Sequence, residues 1–254
     1  VNSGTVANMS DDERKRLRNA AGEADIELTA CIGLTKDYDV ASADESVRRN
    51  GVAFLQQQAQ ALAATGITEV GGILYSCWPG KLPEDETDKR PYWERSVASM
   101  KEVMKIAEDR GVLFHMEVVN RFEQYLLNCA EEAVQYVRDV DSPNCRILLD
   151  TFHMNIEEDS FAGAIRTAGD LLGHLHLGET NRRAPGRGKI PWDEVFGATK
   201  EIGFEGSIVM EPFLMPGGEV GRDISVYRDL RDGLDLDEEA QRACAFVKQK
   251  LAEG

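Results

Sequence analysis

The chain has 254 residues, 42% of them hydrophobic, enough to bury a full core within a single domain spanning 1–254. Lys and Arg total 29 against 45 Asp and Glu, and the resulting formal charge of −16 disfavours nucleic acid or any partner held through phosphates. No apolar run approaches a membrane span and no charged-then-apolar leader opens the sequence; five scattered cysteines without a CxxC pair point to a reduced, cytoplasmic protein.

Residues 1–9 show no clear period, and Ser10-Asp11-Asp12-Glu13 is a capping box opening a helix that runs to about Ala21. A strand over Ile26–Ile32 follows, then a helical pattern over 43–65 with Val47, Val52, Leu55, Ala59 and Leu62 on one face. The next strand starts at Thr68 and runs through Tyr75. Cys77 to Tyr92, with Trp78-Pro79-Gly80, is a loop long enough to act as a lid. A helix over 93–110 leads to the strand Val112–Glu117. A helix near 130–139 precedes the apolar run Ile147-Leu148-Leu149, which ends at Asp150, with His153 three residues on. A short helix over Phe161–Ala168, a strand from Leu171 to His176, a helix over 192–202 and the strand Ser207–Glu211 come next. A Gly-rich connection precedes a last helix at about 237–252.

Strand and helix alternate with short connections, which predicts a parallel sheet. Six strands fall short of the eight of a closed ring. Four successive strands nevertheless end in Glu117, Asp150, His176 and Glu211, and a barrel mouth would gather these groups whereas an open sheet would spread them. The predicted fold is therefore an α/β (β/α)8 TIM barrel lacking its first strand, first helix and second strand in this chain. Val at position 1 agrees with a chain that starts after the start of its gene product.

Three carboxylates and an imidazole suit a hard or borderline divalent ion such as Mn²⁺, Mg²⁺ or Co²⁺. Capping of the following helices would explain one such acid. It explains four consecutive ones poorly, because converging carboxylates repel unless a cation neutralises them.

The stretches Glu117-Val118-Val119-Asn120-Arg121-Phe122-Glu123, Asp150-Thr151-Phe152-His153-Met154-Asn155, Gly173-His174-Leu175-His176-Leu177-Gly178-Glu179 with Asn181-Arg182-Arg183, and Met210-Glu211-Pro212-Phe213 resemble the D-psicose (D-allulose)/D-tagatose 3-epimerase family of xylose-isomerase-like barrels. The resemblance implies a metal, Mn²⁺ first with Co²⁺ or Mg²⁺ as substitutes, at Glu117, Asp150, His176 and Glu211. It implies Glu117 and Glu211 as the acid/base pair, and Glu123, His153 and Arg182 as sugar-gripping residues. It also implies a homodimer or homotetramer acting on a small ketose.

Such chemistry takes a proton from C3 beside a carbonyl and returns one to the opposite face, which calls for two bases on opposite sides of the sugar. Glu117 and Glu211 lie on strands three places apart in an eight-strand ring, nearly across the mouth. Trp78 and Phe213 are read as an apolar wall beside the sugar. His115 and His174 share the inward face with Glu117 and His176, one layer deeper, and are read as packing. Trp93 and Trp192 are read as packing at helix starts. The basic, Gly-rich segment 185–189 lacks a P-loop pattern and reads as a structural loop. Competing readings are a related sugar isomerase or an L-ribulose-5-phosphate-type 3-epimerase on the same barrel, a repair endonuclease, and a non-catalytic sugar-binding barrel. Four histidines and the negative charge argue against the endonuclease.

Overall fold

A computed structural model describes residues 1–253, with the side chains of residues 219 and 220 outside the description. Six strands lie side by side in chain order, every neighbour parallel: β1 (Ala30–Cys31), β2 (Glu69–Gly72), β3 (Leu113–Val118), β4 (Cys145–Asp150), β5 (Leu172–Leu177) and β6 (Ser207–Met210). The α-helices are α1 (Ser3–Asn8), α2 (Asp11–Glu23), α3 (Glu45–Thr65), α4 (Arg90–Arg110), α5 (Ala130–Val140), α6 (Thr151–Glu157), α7 (Phe161–Ala168), α8 (Trp192–Glu201), α9 (Gly218–Asp223) and α10 (Leu236–Glu253). Among the described residues no helix is long and apolar enough to cross a membrane.

The sheet curls. In a flat sheet, strands four places apart would stand roughly 19 Å from one another. Yet Ser207 on β6 donates a hydrogen bond to Glu69 on β2, so the two ends bend toward each other as in a TIM-type barrel. Val1 and Asn2 begin a further strand position beside β1: Asn2 pairs in parallel with Cys31, and the Cys31 amide donates to the Val1 carbonyl at 2.9 Å.

Alternation along the strands separates two faces. Phe114, Met116, Ile147, Leu149, Leu175 and Leu177 are buried in the hydrophobic layer beneath the helices. Each contributes about 1.5–3 kcal/mol by leaving water. Their neighbours His115, Glu117, Leu148, His174 and His176 are equally buried but lie outside that layer, and Leu148 rests against Gly71 on the inner side. The helices supply the other half of the layer: α5 buries Ala130, Ala133, Val134, Val137 and Val140 at helical spacing.

Several boundaries differ from the sequence reading, for local reasons. β1 is two residues long, not seven. β2 stops at Gly72, whose φ of +116° leaves the strand region. A Cβ there would sit 2.1 Å from the Ile32 carbonyl oxygen, so only glycine permits this approach. α1 forms where no period was visible, because Asn2 caps it and Ser3, Gly4 and Val6 are buried. α4 starts at Arg90, three residues early, with Pro91 in its first turn. The capping box at Ser10 and Glu13 is present as predicted.

The loop between β5 and α8 is braced from both sides. Glu179 accepts from the amides of Gly186 (2.7 Å) and Ile190 (3.1 Å) and from the Trp192 indole (2.9 Å). Glu239 on α10 accepts from Arg187 and Arg242, at 2.9 and 2.7 Å. Hydrogen bonds from Arg242 and then Arg187 hold the Glu239 carboxyl at about 2. A folded-state value below the unfolded one stabilises above the ordinary carboxylate range, and the effect fades as pH falls through about 2. Glu239→Gln is therefore expected to cost about 1–2 kcal/mol in urea unfolding at pH 7, with the gap to the unaltered chain closing below about pH 4. A gap that persists unchanged at pH 3 would contradict this.

Candidate active site at the strand ends

Glu117, Asp150, His176 and Glu211 meet at the ends of β3, β4, β5 and β6, where one donor atom from each lies within 4.8 Å of all the others. Glu211 follows β6, and its amide extends the ladder by donating to the Leu177 carbonyl at 2.9 Å. His176 Nδ1 stands 3.2 Å from Glu117 Oε1 and 3.5 Å from Glu211 Oε2, so the two glutamates converge on one ring nitrogen. Tyr75 donates to the Glu117 carbonyl at 2.9 Å and pins the end of β3. Asp150 does two things at once. Its Oδ1 accepts from the Phe152 amide at 2.7 Å and caps α6, while its Oδ2 faces Arg182.

Arg182 is the positive counterweight. Its Nη1 donates to Asp150 at 2.6 Å and to Glu211 at 3.2 Å, and its guanidinium lies over the rings of Phe152 (4.1 Å) and Phe213 (5.1 Å). The residue adopts a left-handed φ of +60°, a strained backbone that the braced loop sustains.

Burial sets the charges. It pushes the Glu117 carboxyl up, with His176 pulling the other way and Glu211 and Asp150 adding to the rise, to about 7. Burial would also raise Asp150, but Arg182, His153 and His176 outweigh it and hold the carboxyl at about 2. Burial opposes charge on His176, and Glu211 and Glu117 overcome it, pushing the imidazole well up. His153 goes down to about 4 because desolvation dominates, so it is neutral at pH 7.

The other predicted residues gather around the same opening. A cavity of about 350 Å³ is lined by Cys31, Ile32, Gly33, Ile73, Trp78, Glu117, Glu123, His153, Arg182, Glu211 and Phe213. Asp150 and His176 are not part of its wall. Asn120, not singled out from sequence, joins the groups: its backbone amide lies 3.2 Å from His153 Nδ1 and its side chain donates to Glu123 at 3.0 Å. Trp78 donates to the other Glu123 oxygen at 3.0 Å. Phe152, also missed, supplies a face for Arg182. Trp93 and Trp192 do pack at helix starts, against Tyr136 and Phe196 respectively.

A family model described as the xylose isomerase-like TIM barrel matches residues 2–247. The D-psicose 3-epimerase of Ruminiclostridium cellulolyticum is 48% identical over 245 residues, covering 95% of this chain and 83% of its own length. The chain belongs to the D-psicose 3-epimerase family. That makes it a carbohydrate isomerase on a xylose isomerase-like barrel. The family member from Agrobacterium fabrum is 45% identical, with 96% of this chain and 85% of that protein covered. A solved structure of D-psicose 3-epimerase with D-tagatose, from Clostridium cellulolyticum, superposes with a TM-score of 0.94 at 46% identity. The match covers 99% of this chain and 88% of that one.

Three carboxylates and one imidazole, converging from four strands, fit a divalent cation: the donors are mostly hard oxygen, and their mutual repulsion is what such an ion relieves. Because an ion that binds only the folded chain stabilises it, saturating Mn²⁺ should raise the melting temperature by roughly 5–10 °C. Asp150→Asn should lose most of that rise. Equal shifts in both proteins would place the ion elsewhere.

Proposed function

We propose that the chain is a metal-dependent 3-epimerase of free ketohexoses, interconverting D-fructose with D-psicose or D-tagatose with D-sorbose. The observation that carries this reading is the pair Glu117 and Glu211, brought from strands three places apart to within 3.2 and 3.5 Å of the same His176 nitrogen and both lining the one cavity. One glutamate takes the C3 proton, a cis-enediolate results, and the other returns a proton to the opposite face. A divalent ion held by Glu117, Asp150, His176 and Glu211, Mn²⁺ first with Co²⁺ or Mg²⁺ as substitutes, supplies Lewis acidity toward the ketose oxygens.

Glu123, His153 and Arg182 are assigned to the sugar hydroxyls, with Trp78 and Phe213 as the apolar wall; all five line the cavity. The hydrogen bonds from Asn120 and Trp78 hold Glu123 in one orientation toward a ligand. A phosphorylated pentulose is the weaker reading, because the arginine that lines the cavity, Arg182, is already committed to Asp150 and Glu211.

The barrel is read as one domain; the six parallel strands in chain order and the curl that brings β6 to β2 support it. A cytoplasmic setting accords with five unpaired cysteines. A homodimer or homotetramer follows from the family resemblance.

The test is a chromatographic assay on D-fructose, D-psicose and D-tagatose with Mn²⁺ present. Glu117→Gln and Glu211→Gln should each lower kcat by about 10²- to 10⁴-fold while sugar binding persists. A variant within tenfold of the unaltered protein would remove that glutamate from the proton transfer.

A further inference from the structure

One layer below the mouth lies a second set of chemistry-bearing side chains that the proposed reaction does not use. Glu69 on β2, His115 on β3 and His174 on β5 are buried, and their donor atoms all fall within 4.8 Å of one another. Glu69 Oε2 stands 3.0 Å from His115 Nε2 and 3.4 Å from His174 Nδ1.

A hydrogen-bonded polar core would direct an N–H along each short contact. His174 Nδ1 meets Glu69 Oε2 in such a bond at 3.4 Å, but neither ring nitrogen of His115 has an aligned hydrogen-bond partner, although a carboxylate oxygen is 3.0 Å away, and His174 Nε2 is also unpartnered. The short, unaligned contact at His115 fits donor atoms that face a shared point rather than each other. In a four-coordinate site with ligands about 2.0–2.2 Å from the ion, neighbouring donor atoms stand roughly 3.3–3.6 Å apart. The two spacings from Glu69 Oε2 to the histidines, 3.0 and 3.4 Å, agree within a few tenths of an ångström.

The surroundings hold this arrangement in place. Ser207 donates to Glu69 Oε1 and leaves Oε2 for the histidines, the kind of outer contact that orients a metal ligand. On β5 the register slips between the partners of Ile147 and Leu148, leaving Gly173 as an extra residue. A Cβ on Gly173 would lie 2.5 Å from His115 Cε1 and 2.6 Å from its Nδ1, so the bulge is a cradle for the imidazole. The Glu69 side chain keeps 11% of its surface exposed, which provides an entry route.

We propose that Glu69, His115 and His174 form a second metal site, on the barrel floor, for a borderline divalent cation of the Zn²⁺ type. Two imidazoles and one carboxylate make a nitrogen-rich set with a fourth position open, unlike the oxygen-rich set at the mouth. The two sites would thus sort different ions, and the floor ion would clamp β2, β3 and β5 together. Nothing in this depends on which sugar the mouth accepts.

The test is metal content and Co²⁺ spectroscopy on the full chain, stripped with chelator and reloaded. The unaltered protein should take two Co²⁺ per chain, one of them with the intense visible bands of four-coordinate Co²⁺. Asp150→Asn/Glu211→Gln should retain one Zn²⁺ or Co²⁺ per chain, and His115→Gln or Glu69→Gln should lose that ion while still taking up Mn²⁺. Saturation of the unaltered protein at one ion, or a Zn-edge anomalous map showing only water between the three side chains, would overturn the proposal, and neither result depends on a variant folding.

Discussion

Three carboxylates, two buried and one half-buried, repel one another where they converge, and the architecture of the mouth is organised around that repulsion. Two like charges about 4 Å apart cost on the order of 4 kcal/mol at an effective dielectric near 20. Here His176 and Arg182 supply opposing charge, and Glu117 is raised toward neutrality. Arg182 reaches this position only from a left-handed backbone, on a loop that Glu179 and Glu239 tie down on its far side. Salt bridges that would be ordinary surface features elsewhere therefore bear on how the candidate site is arranged.

The same alternation that hides aliphatic side chains under the helices stacks polar ones inside the curl. Leu148 separates nothing by itself; it fills space beside Gly71 while the histidines of β3 and β5 approach from either side. Two polar layers result, the upper one oxygen-rich and open to a cavity, the lower one nitrogen-rich and closed in by Ser207 and Gly173. A substitution that shifts β5 by a fraction of an ångström would move both His174 and His176, so the layers share their geometry.

Much of this was legible in the chain. An apolar run that ends abruptly in a charged residue marks a buried strand with its polar group at the rim, and four such runs located Glu117, Asp150, His176 and Glu211. Period two placed His115 and His174 beneath them. Asp150 shows why competing local readings need not exclude one another, since one oxygen caps α6 and the other faces the cluster. What escaped depends on tertiary contact. Glu69 opens its strand instead of ending it, and its partner Ser207 is 138 residues away, brought near only by the curl. Asn120 lies in the loop after β3 and Phe152 in the first turn of the short helix α6, where no periodicity reports the side-chain direction. β1 was overestimated because Ile26 and Leu28 have strand-like alternation but Ile26 ends up exposed, before pairing starts.

The central claim, proton transfer at C3 by two glutamates at the mouth, is tested most directly by isotope. D-fructose incubated in heavy water with the Mn²⁺-loaded chain should yield D-psicose carrying deuterium at C3, and excess chelator should stop both product and exchange. Psicose formed with its original C3 hydrogen, or no C3 exchange into any ketohexose, would contradict the account.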